Sequence, residues 1–286
     1  MAFGMGLARL TPVNNASSSI DIKSARVGLI GVGNMGEALL VALIKAGVPC
    51  KNISFAVRRT ERSDELVDRY GITPATVEKM ASASDVLMII VKPYDLDTIM
   101  ARVAPSLRSD ALIISFLAGK KISTLEAGLS ISSVVRIMPN TPTLLGAGMS
   151  IVSFSDGVRA DQKTFVTDFL SAAGKSIEVD EPLQDAASAT SGSGPAYFFA
   201  FVEAMVSEAI NMGIDSQTAN TLVIQTIVGA AKMLDESGKS AATLRENVTS
   251  PKGMTFEGLK VFDEGDLQGL VARAMQAAAA KSRLMA

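Results

Sequence analysis

Gly31-Val32-Gly33-Asn34-Met35-Gly36 spells G-x-G-x-x-G between a β-branched run, Val27 to Gly31, and a helix expected over Met35 to Ala46. The first glycine of such a motif permits a tight turn, the second lets the backbone approach a pyrophosphate, and the third packs helix against strand. A helix start also offers free N–H groups and the positive end of its dipole. Gly31, Gly33, Asn34, Met35 and Gly36 are therefore candidate ligands of a dinucleotide. At the end of the next strand, where an NAD site places an acidic residue for the ribose hydroxyls, the chain has Arg58-Arg59-Thr60. Two guanidinium forks and a hydroxyl suit a 2′-phosphate, so NADPH is preferred and NADH stays an option. The alternative is a pair of solvated surface arginines.

Other candidates sit where strands end at the carboxyl edge, the place at which open α/β sheets bind ligands. Val91, Lys92 and Pro93 close a central strand. Lys92 could face a phosphate, a substrate or water, and Pro93 most simply stops the strand. Ala118-Gly119 and then Pro139-Asn140, within M-P-N-T-P, follow later strands; a rigid turn is the alternative for that last run. Near the other end, Thr249 to Gly258 read T-S-P-K-G-M-T-F-E-G and open a short amphipathic helix. Hydroxyls, a proline and a glycine there ordinarily cap.

The elements that must position these residues alternate. Strands are expected at Val27 to Gly31, Ile53 to Val57, Asp85 to Val91, Ala111 to Leu117, Val134 to Met138, Met149 to Phe154 and Ser176 to Val179. Helices fall between them, including one capped by Ser63 and ending at Tyr70, one over Asp95 to Leu107 and one over Ala160 to Ala173. That alternation is the signature of a doubly wound α/β sheet. After Glu181-Pro182 the strands stop. Pro195 sits in the first turn of a helix running to Met212, whose polar stripe, Glu203, Ser207, Glu208 and Asn211, is narrow. A second helix from Ser216 to about Leu234 is equally short of charge. Two such helices carry more apolar face than one small domain covers, so a homodimer or larger oligomer built through them is expected. The alternative is a larger core within one subunit.

Composition narrows the chemistry. The 286 residues hold no histidine and one cysteine, Cys50, and carry a net charge of −2. Ser-His-Asp hydrolysis, a multi-cysteine zinc site and an intrachain disulfide are excluded; no metal site is expected, and a reducing cytoplasm fits. No basic excess points to nucleic acid. Ala186 to Val202 and Ser216 to Ala231 lack charge but fall short of the ~20 residues of a spanning helix, so no membrane partner is expected. Residues 1–24 have no continuous apolar stretch and read as a disordered tail.

Taken together, G-V-G-N-M-G, V-K-P, R-I-M-P-N-T-P (Arg136 to Pro142), D-A-A-S-A-T-S-G-S-G-P-A-Y-F-F (Asp185 to Phe199) and V-T-S-P-K-G-M-T (Val248 to Thr255) resemble pyrroline-5-carboxylate reductase. The resemblance runs in order from about Arg26 to the C-terminus, and its last two motifs are the specific ones. It implies an α/β protein with an N-terminal Rossmann-like doubly wound sheet and a C-terminal all-helical dimerisation domain. The expected division is a tail over 1–24, a dinucleotide-binding domain over 25–181 and a helical dimerisation and substrate-binding domain over 182–286. The family often builds pentamers of dimers. The implied reaction is hydride transfer from NAD(P)H to the C=N carbon of 1-pyrroline-5-carboxylate, giving L-proline in the last step of proline biosynthesis.

On this reading Ser250, Gly253 and Met254 form a helix start that binds the substrate carboxylate through backbone N–H groups. Thr255 resembles the family threonine that contacts the imine nitrogen. The usual family run is S-P-G-G-T-T, so this chain departs from it at Lys252 and Met254. Backbone N–H groups survive the second change, whereas Lys252 replaces a glycine that could have used a positive φ. Two other readings compete: a β-hydroxyacid dehydrogenase, with Lys232 the only lysine inside a long apolar helix, and a non-catalytic NADPH-binding regulator.

Overall fold

The computed structural model describes residues 19–285. Its elements run β1 Val27–Ile30, α1 Asn34–Ala46, β2 Ile53–Ala56, α2 Thr60–Tyr70, β3 Thr73–Pro74, α3 Val77–Ala83, β4 Val86–Ile89, α4 Leu96–Val103, β5 Leu112–Ser115, α5 Ile122–Leu129, β6 Val134–Met138, β7 Gly148–Phe154, α6 Ala160–Ser171 and β8 Gly174–Glu178. Only helices follow: α7 Gln184–Ala187, a π-helical turn Ser188–Gly192, α8 Gly194–Asn211, α9 Ser216–Glu236, α10 Ala241–Asn247, α11 Met254–Glu264 and α12 Leu267–Arg283.

The eight strands form one sheet in the order β3-β2-β1-β4-β5-β6-β7-β8. All neighbours pair in parallel except β6 with β7. The link over 139–147 is too short for a crossover, which needs a dozen or more residues, so β7 must return antiparallel. The strand order changes direction beside β1, and Ile30 lies opposite Ile89 where β1 and β4 end together. A crevice outside the carboxyl ends of these two strands is the dinucleotide position of a doubly wound sheet. Every residue of β1, β4 and β5 is buried, as parallel strands covered on both faces require.

Several expectations need correction. Ser63 does not cap α2; Arg59 is its N-cap residue and Ser63 lies in the first turn, its N–H bonded to Arg59 O. The helix expected over Asp95 to Leu107 ends at Val103 because Pro105 has no N–H to continue it, and a 3₁₀ turn follows. The tail expected over 1–24 is shorter at its inner end, since Ile20 and Ile22 pack against the core and Ile20 N–H donates to Asp161 Oδ2 at 2.7 Å. Residues 1–18 of that tail lie outside the described residues.

A buried arginine joins the sheet to the helices. Arg136 on β6, 3% exposed, reaches Glu181 Oε1 and Asp185 Oδ1 at 3.4 Å each. Glu181 also accepts from Ile122 N–H at 2.7 Å, and Asp185 from Ser282 Oγ of α12 at 2.7 Å. The end of α12 closes on the loop after β5, where a Cβ on Gly119 would lie 2.8 Å from Ser282 O and Met285 C. Among the described residues, no helix is long and apolar enough to cross a membrane.

Candidate active site

The glycine-rich turn is built by its glycines in three different ways. Gly31 takes φ +92, donates to Ala56 O at 2.9 Å and brings its backbone within reach of Ile90. Gly36 has no room for a Cβ, which would stand 2.6 Å from Gly31 O. Gly33 faces open space. The first helical bond of α1 runs from Glu37 N–H to Gly33 O, so the N–H groups of Val32, Gly33, Asn34, Met35 and Gly36 have no acceptor among the described residues. Five unpartnered donors at the positive end of a helix, with open space at the middle glycine, fit a pyrophosphate.

Around this turn the other candidates divide. Arg58 and Arg59 stand exposed after β2, with Arg58 Nη2 donating to Asp95 Oδ2 at 2.9 Å across the crevice mouth. Val91 and Pro93 are half-buried and Lys92 is exposed just past β4, where Ile90 N–H donates to Ile30 O. The later candidates behave differently. Ala118 is half-buried, but Gly119 is buried under the end of α12 and is a packing glycine. Pro139 and Asn140 are buried. Asn140 Nδ2 donates to Ser191 O at 3.2 Å and its Oδ1 accepts from Met149 N–H at 2.9 Å, which pins β6 and β7 to the π-helical turn. Both polar ends of that amide are already engaged, so its side chain is a joint and not a free ligand.

Sequence reasoning missed Arg62. From the first turn of α2 its Nε donates to Val32 O at 3.2 Å, while its two terminal nitrogens bind Glu37 and Glu65. Glu37 also accepts from Arg69 at 2.7 Å and from Tyr70 Oη at 2.6 Å. Burial pushes the Glu37 carboxyl up, but the hydrogen bonds from Tyr70, Arg62 and Arg69 outweigh it, and the group titrates below the ordinary glutamate range. The signal was present in Glu37 itself. A carboxylate in the first turn beyond a phosphate-holding loop is electrostatically misplaced unless cations pair with it.

The second candidate turn caps nothing with its hydroxyls. Thr249 Oγ1 donates back to Arg245 O, and Gly253, the N-cap residue of α11, receives no side-chain cap. Gly253 N–H is held by Ser250 O at 3.0 Å, and a Cβ there would strike Ser250 Oγ, so this glycine provides room and not a donor. The free donors are Met254, Thr255 and Phe256, because the first helical bond is Glu257 N–H to Gly253 O. Lys252 does occupy the left-handed region, at φ +59. Lys252, Met254 and Thr255 are all exposed, Met254 at 95%. No hydrogen bond or ion pair among the described residues joins this turn to the glycine-rich one. A groove of about 460 Å³ between α10 and α11, lined by Arg245, Thr249, Phe256 and Lys260, opens beside it.

The helices around this second turn bury little. Beyond Pro182 the buried apolar residues are Ala189, Ala219, Val223 and Ala279, whereas Phe198, Phe199, Leu222, Ile224, Val261 and Phe262 are exposed. Among the described residues Lys232 pairs only with Glu236, at 3.9 Å on a face exposed in the single chain.

Comparison with known proteins bears on both halves. Residues 181–285 match the family described as pyrroline-5-carboxylate reductase dimerisation, and residues 26–119 match that described as NADP oxidoreductase coenzyme F420-dependent. A pyrroline-5-carboxylate reductase of Corynebacterium melassecola is 38% identical over 261 residues, 90% of this chain and 97% of the relative. A solved pyrroline-5-carboxylate reductase from Coxiella burnetii superposes with a TM-score of 0.85 at 32% identity, covering 92% of this chain and 99% of that one. A Plasmodium falciparum pyrroline carboxylate reductase with NADP bound gives 0.83 at 29% identity, over 92% and 98%.

Proposed function

The chain belongs to the pyrroline-5-carboxylate reductase family, and on that premise we propose how its own residues serve the reduction of 1-pyrroline-5-carboxylate to L-proline. NAD(P)H, when bound, supplies the hydride for the imine carbon. The turn from Gly31 to Gly36 holds the pyrophosphate of that cofactor through its unpartnered N–H groups. Arg58 and Arg59 take the 2′-phosphate, and Val91 to Pro93 line the same crevice.

The substrate is a small cyclic imine with a carboxylate. That anion is met by the N–H groups of Met254, Thr255 and Phe256, with Ser250 beside them. Thr255 Oγ1 has no hydrogen-bond partner among the described residues and is free to hydrogen-bond the imine nitrogen. A threonine hydroxyl is a poor acid, so it orients this nitrogen; the proton arrives with the substrate as iminium or from water. With no histidine in the chain, rate acceleration rests on proximity and orientation. The observation that carries this reading is the pair of helix starts with unpartnered N–H groups, one in each half.

The family match over residues 181–285 supports a homodimer, and the exposed apolar faces of α8, α9 and α11 are what it would cover. We place the division between a dinucleotide-binding domain and a helical dimerisation and substrate-binding domain at about residue 181, and extend the assembly to a pentamer of dimers. The single cysteine supports a cytoplasmic setting. The test is NADPH oxidation with 1-pyrroline-5-carboxylate, checked for proline and repeated with Thr255→Ala. Turnover should fall roughly 10–100-fold in the variant, the worth of a hydrogen bond to a charged group. An unchanged rate would remove Thr255 from the site.

A further inference from the structure

We propose that Arg62 is the positioning residue of the cofactor turn: bonded to Val32 O, it fixes the Val32–Gly33 peptide so that Gly33 N–H points at the pyrophosphate. This rests on the assignment of that turn to NAD(P)H. A trans peptide carries its C=O and N–H on opposite sides, and no peptide bond among the described residues is cis. Holding Val32 O at 3.2 Å from Arg62 Nε therefore aims Gly33 N–H away from α2, on a residue that faces open space. Glycine at 33 would otherwise leave this peptide free to flip, because Gly33 adds no side chain to resist rotation.

The brace is itself braced. Arg62 is 13% exposed and its other nitrogens are occupied by Glu37 of α1 and Glu65 of α2, while Arg69 and Tyr70 hold the same carboxylates. The two arginines cancel the two glutamates, so no net charge from this cluster opposes the phosphates. Because Arg59 to Arg62 open the same helix, the cluster also sets where the 2′-phosphate candidates stand relative to the pyrophosphate turn. Arg62 touches no cofactor on this account, and its effect should be common to both dinucleotides, which share the pyrophosphate.

The experiment is calorimetric titration of the full-length protein and of Arg62→Met, Arg62→Lys and Glu65→Gln with NADPH and, separately, NADH, alongside thermal melts of the apo proteins. Wild-type binding comes first; failure to bind either dinucleotide would overturn the cofactor assignment itself. Given binding, Arg62→Met should weaken NADPH and NADH alike by about 10-fold, the worth of ~1.4 kcal/mol, with the KM for the imine at saturating cofactor changed less than about two-fold. Arg62→Lys should restore the melting temperature, since a lysine can still pair with Glu37, but not the affinity, since it lacks the fork that reaches Val32 O. Glu65→Gln should leave both affinities within about two-fold. If Arg62→Met does not fold, Arg62→Lys alone carries the test. Unchanged affinity in a folded variant sinks the proposal, and so does a loss confined to NADPH, which would make Arg62 a direct phosphate ligand.

Discussion

The turns at Gly31–Gly36 and Ser250–Thr255 both open a helix with N–H groups that nothing among the described residues accepts, yet they are supported in opposite ways. The first is embedded: Val32 and Gly36 are buried, and Arg62 reaches in from the neighbouring helix. The second stands in the open, with Met254 almost fully exposed and a lysine where the backbone turns left-handed. One chain completes the glycine-rich turn; for the second turn to hold the substrate as proposed, it needs a surface from elsewhere to exclude water from its donors. The same contrast separates the halves, since nearly all the buried apolar residues belong to the sheet and its flanking helices.

The most severe way to break this comparison is to separate the subunits. Placing carboxylates in the interface by Phe199→Asp with Leu222→Asp should give monomers whose turnover falls more than ~100-fold, given the 3–5 kcal/mol cost of an uncompensated buried charge. NADPH affinity, measured by titration, should stay within about three-fold; an equal loss would mean that the cofactor turn also depends on the partner. Next in size, Arg58→Ala with Arg59→Ala should raise the NADPH KM by roughly 10–100-fold while sparing NADH, because charge-assisted bonds to phosphate are lost. Equal effects on both cofactors would count against 2′-phosphate recognition.

Acid should test the bracing of the first turn. Glu37 is held below its unfolded value of about 4.3, so its contribution is fully present above that pH and is lost as pH falls through the lower folded value. Thermal melts of wild type and Glu37→Gln should thus differ at neutral pH and converge below about pH 4; a constant gap would mean that this carboxylate's charge is not what matters. Smallest of all, Lys252→Gly removes a left-handed non-glycine residue and should stabilise by ~1 kcal/mol at most, since glycine also gains freedom when unfolded. A lower melting temperature would show that Lys252 makes a contact that compensates for its backbone.

What could be read from the sequence follows how local each signal is. G-x-G-x-x-G and the apolar run around Val86–Ile89 are local, and the strand–turn–helix around the glycines and the central strands stand where they were expected. Strand ends were overextended, as at Val91, because pairing stops at Ile89 and a neighbour sets that limit. β3 is two residues long and α5 has no side-chain cap to announce it, whereas Ser240 caps α10 and Asp266 caps α12, local signals that went unread. The arginine–glutamate cluster joins α1 to α2 across 25 or more residues, so only packing brings it together. Asn140 and Gly119 lay at the expected carboxyl edge, but the edge past β5 and β6 is occupied by α12 and the π-helical turn. The resemblance carried the reaction; the fold adds which N–H donors are free among the described residues.

The closure of α12 on Gly119 has a consequence for how the protein is made. At about 5–20 residues per second, the ribosome delivers Ser282 and Met285 roughly 8–30 s after the loop they cover. The parallel sheet can assemble in that interval, but the Gly119 joint and the Arg136–Asp185–Ser282 relay stay open until the last turn emerges. A nascent chain stalled just before α12 would therefore offer a formed glycine-rich turn beside an unsealed flank at Gly119.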